Sequence, residues 1–222
     1  MSGGVISPAL RARVRGLAVP VALAFGRLGL TPNALTVIGF GIAVLAAIAA
    51  AAQAWLVAGL LVIFGGVFDL FDGALARATN KVSRLGAFLD SVFDRAGEAV
   101  LYLGVAVGFL VAGHERVVIL AASAMAASFM VSYTRAKSES LGFTPGTGMA
   151  NIGLAPREVR LVILTLGMLV GAATDAEPVL SATLGLIAVL ATITTVQRIV
   201  HVTRQSPPDQ SSASTPGGEQ HP

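Results

Sequence analysis

The sequence predicts an all-α integral membrane protein of six transmembrane helices, preceded by an N-terminal interfacial amphipathic helix. Three observations carry this. Of the 222 residues, 55% are hydrophobic and 12% charged, about half the charge a soluble domain carries. The apolar residues gather in runs near the roughly 20 residues a spanning helix needs. Lys and Arg fall mostly in alternate connections between those runs.

Residues 1–30 form the N-terminal unit. Arg11, Arg13 and Arg15 lead into no clean apolar core with a small-residue cleavage site, so a cleaved signal peptide is not expected. Residues 7–28 read as a helix lying on the membrane, interrupted near Pro20. Thr31-Pro32-Asn33 is a helix start, since Thr caps and Pro suits the first helical position. It opens the membrane domain, residues 31–204. The spans fall at 34–52, 55–77, 86–112, 116–137, 157–174 and 178–202. Gln53, Thr79-Asn80-Lys81 and the Gly/Pro stretch Gly142–Gly153 mark breaks between them. Segment 86–112 is longer than a bilayer requires, so its first two turns, with Asp90, Asp94 and Arg95, belong near the interface. The Ser/Gly/Pro-rich tail, 205–222, is expected to be disordered.

Cations cluster before the first span (Arg11, Arg13, Arg15, Arg27) and between the second and third (Arg77, Lys81, Arg84). They recur between the fourth and fifth (Arg135, Lys137, Arg157, Arg160) and after the sixth (Arg198, Arg204). The opposite side has Arg116 beside Glu115, Asp175 and Glu177. The positive-inside rule then puts both termini on the cytoplasmic side of a cell membrane crossed several times. The net charge of +3 and pI of 10.0 come from these helix-end cations. No basic, aromatic-interleaved face accompanies them, so nucleic acid is not an expected partner. There is no Cys, which excludes thiolate metal sites.

Against this apolar background stand four aspartates, Asp69, Asp72, Asp90 and Asp94, within 26 positions. A carboxylate inside a membrane is costly and marks a polar, functional cavity. The i,i+3 and i,i+4 spacings put each pair on one face of its helix. The short 78–85 connection makes the two helices antiparallel neighbours. Facing each other, the pairs offer oxygen ligands to a hard divalent cation, Mg²⁺ or Mn²⁺. Gly73 and Ala76 leave backbone bare beside them, and Arg77 suits phosphate oxygens. Taken singly, Gly73, Ala76 and Gly86 are also ordinary helix-packing residues, and Arg77, Lys81 and Arg84 ordinary orientation anchors.

Asp69-x₂-Asp72-Gly73-x₂-Ala76-Arg77-x₈-Gly86-x₃-Asp90-x₃-Asp94 resembles the signature of the CDP-alcohol phosphotransferases at every defined position. The likeness extends over the membrane region, including the opening Thr31-Pro32-Asn33. It implies a homodimer with a cytoplasm-facing site that moves a substituted phosphate from a CDP-linked donor to an alcohol, releasing CMP. It implies that Asp69, Asp72, Asp90 and Asp94 hold divalent metal, with Asp94 also the general base. Gly73, Ala76, Arg77 and Gly86 would bind the CDP-lipid. Gly104-x₃-Gly108 is a close-packing motif compatible with the dimer.

The acceptor is read from cations at three helix ends: Arg135 and Lys137, Arg157 and Arg160, and Arg198. As residues they fit either an anion pocket or simple membrane anchoring. Their arrangement resembles the phosphatidylinositol-phosphate synthases of actinobacteria and their archaeal relatives. That likeness implies that Ser132, Arg135, Lys137, Arg157 and Arg198, with Arg160 nearby, hold the phosphate of inositol 1-phosphate. Arg and Lys are exchanged at 135 and 137, and the family's Arg-Pro-Glu-Arg reads Arg157-Glu158-Val159-Arg160 here. The run Asp90-Ser91-Val92-Phe93-Asp94-Arg95 departs from the Asp-Pro-x-x-Asp-Lys form of glycerol 3-phosphate-using relatives.

The reading is therefore a phospholipid-synthesis enzyme joining CDP-diacylglycerol to inositol 1-phosphate. Alternatives are the same chemistry on glycerol 3-phosphate or free inositol, or a divalent-cation transporter. Transporters tend to have repeats and broken midplane helices. Here there is no repeat, and the carboxylates sit near one face.

Overall fold

The computed structural model describes residues 19–143 and 152–205, which form seven helices and no strand. Helix α1 covers residues 19–27. It is followed by α2 (Pro32–Ala51), α3 (Trp55–Ala78), α4 (Arg84–Val111), α5 (Glu115–Ser140), α6 (Arg157–Ala173) and α7 (Ala176–Gln205). The bounds of the last six lie within three residues of the six predicted segments at each end. Most of the predicted 7–28 helix, the middle of the 142–153 connection and nearly all of the tail lie outside the described residues.

Local chemistry sets these boundaries. Thr31 caps α2, its Oγ1 accepting from Ala34 N at 3.2 Å, with Pro32 opening the helix. The α2–α3 reversal turns on Gln53 (φ 59°), and the α3–α4 reversal on Asn80 (φ 53°). Asparagine tolerates this left-handed region better than most residues. Ser83 caps α4 by accepting from Gly86 N at 3.0 Å. Helix α4 has 28 residues, so at 1.5 Å per residue it is about 42 Å long, exceeding the bilayer's apolar core of roughly 30 Å.

Four helices, α2, α3, α5 and α7, are long and apolar enough to cross a membrane. Helix α6 has only 17 residues, and α4 carries Arg84, Asp90, Asp94, Arg95 and Glu98 before its long apolar run. Of these, Asp94 and Glu98 turn into the ring, to Arg157 and Arg160. The principal packing pairs close into a ring, α2–α3–α6–α7–α5–α4, with α4 returning to α2. Its apolar core includes Trp55 stacked on Phe109, ring centroids 5.0 Å apart, with Leu101, Val105, Leu164 and Leu184 fully buried around them. Outward, α3 exposes Leu56, Leu60, Ile63, Val67 and Leu70, the surface a membrane protein offers to lipid.

Gly104 and Gly108 correct one expectation. A Cβ on Gly104 would strike the backbone of Ala47, and one on Gly108 the carbonyl of Ala50. The glycines thus bring α4 against α2 within one chain, and the motif gives no support to a subunit interface.

Candidate active site

Antiparallel alternation brings the start of α2, the end of α3, the starts of α4 and α6, and the ends of α5 and α7 to one end of the ring. All the sequence-predicted site residues fall there. Asp72 is buried and doubly held: Thr36 Oγ1 donates to its Oδ2 at 2.8 Å, and the Gly73 N–H donates to its Oδ1. Asp69, Asp90 and Asp94 are half-buried. Asp90 interacts electrostatically with Asp69, Asp72 and Asp94, and Asp69 with Asp72 and Asp94. Asp69 and Asp94 share one partner, Arg157, whereas Asp72 and Asp90 line a neighbouring cavity, so the four lie at one end of the ring in two pairs.

Beside them lies a cavity of about 280 Å³ between α2 and the α3–α4 reversal. Its lining includes Asp72, Gly73, Ala76, Arg77, Gly86 and Asp90. Every residue expected to bind the CDP-lipid thus faces one space with two of the aspartates. Absent side chains help create that space. A Cβ on Gly86 would come 3.2 Å from Asn33 Oδ1, and one on Gly73 3.2 Å from the Arg77 guanidinium.

The cations divide differently. Arg157, at the start of α6, reaches across the ring to put Nη1 2.9 Å from Asp94 Oδ1 and 3.4 Å from Asp69 Oδ2. Arg160 is 1% exposed and bidentate to Glu98, with Nε–Oε1 and Nη2–Oε2 both 2.7 Å. Its Nη1 donates to Ala155 O at 2.8 Å, so no donor group is left facing open space. Arg198 is buried and donates to the carbonyls of Ile152 (3.0 Å) and Val131. It lines a groove between α5 and α7 with Lys137. Arg135 pairs with Glu139 at 2.9 Å near the surface, and Ser132 is half-buried. Arg157 alone of this set touches the aspartates. Among the described residues, no single cavity collects all six.

An all-oxygen set of four carboxylates suits a hard divalent cation. The guanidinium held between Asp69 and Asp94 shows that this pocket draws positive charge. As the side chains stand, among the described residues no three close on a common point as ligands would. Two participants were not singled out from sequence: Thr36, which orients Asp72, and Asn33, which lines the cavity. Thr36, one turn into an otherwise apolar α2, was the available signal; Glu98, one turn after Asp94 and readable from sequence as part of an ion-pair network, is paired with Arg160.

Aspartates beside a glycine-lined cavity at one end of a ring of apolar helices are the groups that phosphate transfer in a membrane protein calls for. Residues 29–197 match the family model for CDP-alcohol phosphatidyltransferase, and the chain belongs to that family of phospholipid-synthesis transferases. The archaetidylinositol phosphate synthase of Pyrococcus horikoshii is 39% identical over 172 residues, covering 78% of this chain and 83% of that one. The phosphatidylinositol phosphate synthase of Mycobacterium tuberculosis is 32% identical over 213 residues, covering 93% and 94%. The crystal structure of M. tuberculosis phosphatidylinositol phosphate synthase with CDP-DAG bound superposes with a TM-score of 0.75 at 31% identity, over 83% of this chain and 92% of that one. Its complex with manganese and citrate gives 0.74 at 31% identity, over 84% and 88%.

Proposed function

We propose that this protein transfers the phosphatidyl group of CDP-diacylglycerol to inositol 1-phosphate, giving a phosphatidylinositol phosphate and CMP. The observation that carries the reading is the single cavity lined by Asp72, Gly73, Ala76, Arg77, Gly86 and Asp90. It joins a bare-backbone surface for a flat base, a guanidinium for phosphate and carboxylates for a cation. The activities for which the relatives are named and the ligand of the neighbouring structure support the choice of donor and acceptor.

In the reaction, an acceptor hydroxyl oxygen bonds to the phosphorus carrying diacylglycerol. The bond from that phosphorus to the bridging oxygen breaks, and its electron pair leaves with CMP. Asp94 takes the hydroxyl proton. Arg77 holds diphosphate oxygens, while Gly73, Ala76 and Gly86 leave room for the nucleotide. Asp69, Asp72, Asp90 and Asp94 would hold the divalent metal, Mg²⁺ or Mn²⁺, which supplies charge neutralisation at the diphosphate when bound. The Thr36 hydroxyl fixes one carboxylate of that set. For an in-line displacement these are the main requirements: alignment and compensation of charge.

Arg157 is assigned to the phosphate of the acceptor because it reaches the catalytic carboxylates and presents a planar fork. Arg198, Arg135, Lys137 and Ser132 are assigned to the same phosphate from the α5–α7 side, and Arg160 contributes charge at a distance, committed as it is to Glu98. We assign all six of α2–α7 to the membrane, with α4 and α6 shielding their polar sides within the ring. The N-terminal interfacial helix, the cytoplasmic orientation, the homodimer and the cell-membrane location belong to the same reading.

The test is CMP release by purified protein in detergent, with Mn²⁺ or Mg²⁺ and CDP-diacylglycerol. Release should depend on inositol 1-phosphate and on metal. Release with glycerol 3-phosphate or free inositol instead would replace the acceptor. No release with any acceptor would return the aspartates to a transport role.

A further inference from the structure

The Glu98–Arg160 pair lies one helical turn beyond the reacting groups and touches none of them. Asp94 and Glu98 are four residues apart on α4, and Arg157 and Arg160 three apart on α6. Two parallel ion pairs, Asp94–Arg157 and Glu98–Arg160, therefore cross the ring interior as successive rungs. The outer rung is partly exposed, with side chains 23% and 24% accessible. The inner one is sealed, with Glu98 at 4% and Arg160 at 1%.

The inner rung is also the better anchored. Glu98 Oε1 accepts from Arg160 Nε and from the Tyr102 hydroxyl at 3.4 Å, and that hydroxyl lies 3.2 Å from Ser128 Oγ on α5. Arg160 Nη1 holds the carbonyl of Ala155 at 2.8 Å, two residues before Arg157. Thr194 on α7 accepts from the N–H groups of Leu154 (3.1 Å) and Ala155 (3.0 Å). The chain entering α6 is thus fixed on both sides of Arg157. Arg157 has little else to fix it: its Nε is buried without a partner, and its remaining contacts are the carboxylates themselves.

We propose that Glu98, acting through Arg160, is a positioning residue that sets the reach of Arg157 and thereby the site's affinity for the phosphate of its acceptor. The inference rests on the assignment of Arg157 to that phosphate. A buried charge pair in a membrane interior is a costly way to staple helices, since apolar residues of similar volume do as well. What it supplies is directional geometry: a bidentate pair fixes the rotation of the first turn of α6. Arg157 lies on that turn at the end of a long side chain, so a small rotation moves its guanidinium appreciably.

The experiment is steady-state CMP release by the purified protein with CDP-diacylglycerol, inositol 1-phosphate and Mn²⁺, comparing Glu98→Gln, Arg157→Ala and the double variant. Glu98→Gln is expected to raise the acceptor KM by about tenfold or more and to leave the donor KM within about twofold, as a misplaced binding group does. In the Arg157→Ala background it should add nothing further to the acceptor KM. Should Glu98→Gln fail to fold, Glu98→Gln/Arg160→Gln removes both buried charges together and is expected to show the same selective acceptor defect.

Donor and acceptor KM rising together in step with a lower Tm would make the pair a structural staple and overturn the proposal. So would an acceptor effect that persists in full in the Arg157→Ala background. An unchanged acceptor KM in Arg157→Ala alone would remove the underlying assignment of Arg157. A raised acceptor KM in Arg157→Ala with none in Glu98→Gln would sink only the role of Glu98.

Discussion

Arg157 Nη1 lies 2.9 Å from Asp94 Oδ1, so a guanidinium from α6 and a carboxylate from α4 meet across the interior of the ring. The same nitrogen is 3.4 Å from Asp69 on α3. The residue assigned to the acceptor's phosphate thus already neutralises part of the acidic cluster. Under that assignment, recognition of the acceptor is coupled to the charge of Asp69 and Asp94 through one side chain.

Arg157→Lys keeps the charge but loses the planar fork. It is expected to raise the KM for inositol 1-phosphate by about tenfold, the scale of one charge-assisted hydrogen bond, with a much smaller change in the KM for CDP-diacylglycerol. Titrating each substrate at saturating concentrations of the other checks this. Equal changes in both constants would detach Arg157 from the acceptor.

Asp94→Asn preserves shape and removes the proton acceptor. Turnover should fall by roughly 10² to 10⁴, the range general bases contribute, while CDP-diacylglycerol binding stays measurable by calorimetry. Near-normal turnover would remove Asp94 as the base.

Thr36→Val deletes the hydroxyl that donates to Asp72 at 2.8 Å. A buried carboxylate losing one hydrogen bond of this kind forfeits about 1–3 kcal/mol. The expected signature is weaker Mn²⁺ binding, followed by electron paramagnetic resonance, with a raised donor KM and an unaltered acceptor KM. Unchanged Mn²⁺ affinity would make the Thr36 contact incidental to the metal set.

Much of this was legible in the sequence because the costly residues are the informative ones. Aspartates in an apolar chain pointed to a polar functional cavity, and their spacing set which face of its helix each pair shares. Thr31, Pro32, Gln53 and Asn80 announced helix boundaries through capping and left-handed backbone, which are local effects. The rest depended on which helix packs against which. Gly104 and Gly108 read equally well as intra- or intermolecular contacts, and only the position of α2 decided it. Arg157 and Arg160 looked alike as cations, yet one faces Asp69 and Asp94 and the other is sealed against Glu98. The sequence of α6, with Arg157, Glu158 and Arg160 in its first turn, did not show which of these would pair across the ring.

Gly104→Leu drives a side chain into the backbone of Ala47. Overpacking of this kind costs about 1–3 kcal/mol or more, and the result should be a clear fall in Tm in detergent with the oligomeric state of the surviving protein unchanged. A changed oligomer at unaltered Tm would restore these glycines to a subunit interface.

The most direct test of the account is CMP release from CDP-diacylglycerol by the purified protein, with inositol 1-phosphate present or absent and Mn²⁺ present or chelated. The account predicts release only when both are present, and its loss in Asp94→Asn. Release that ignores the acceptor, or that survives chelation and Asp94→Asn alike, would contradict it.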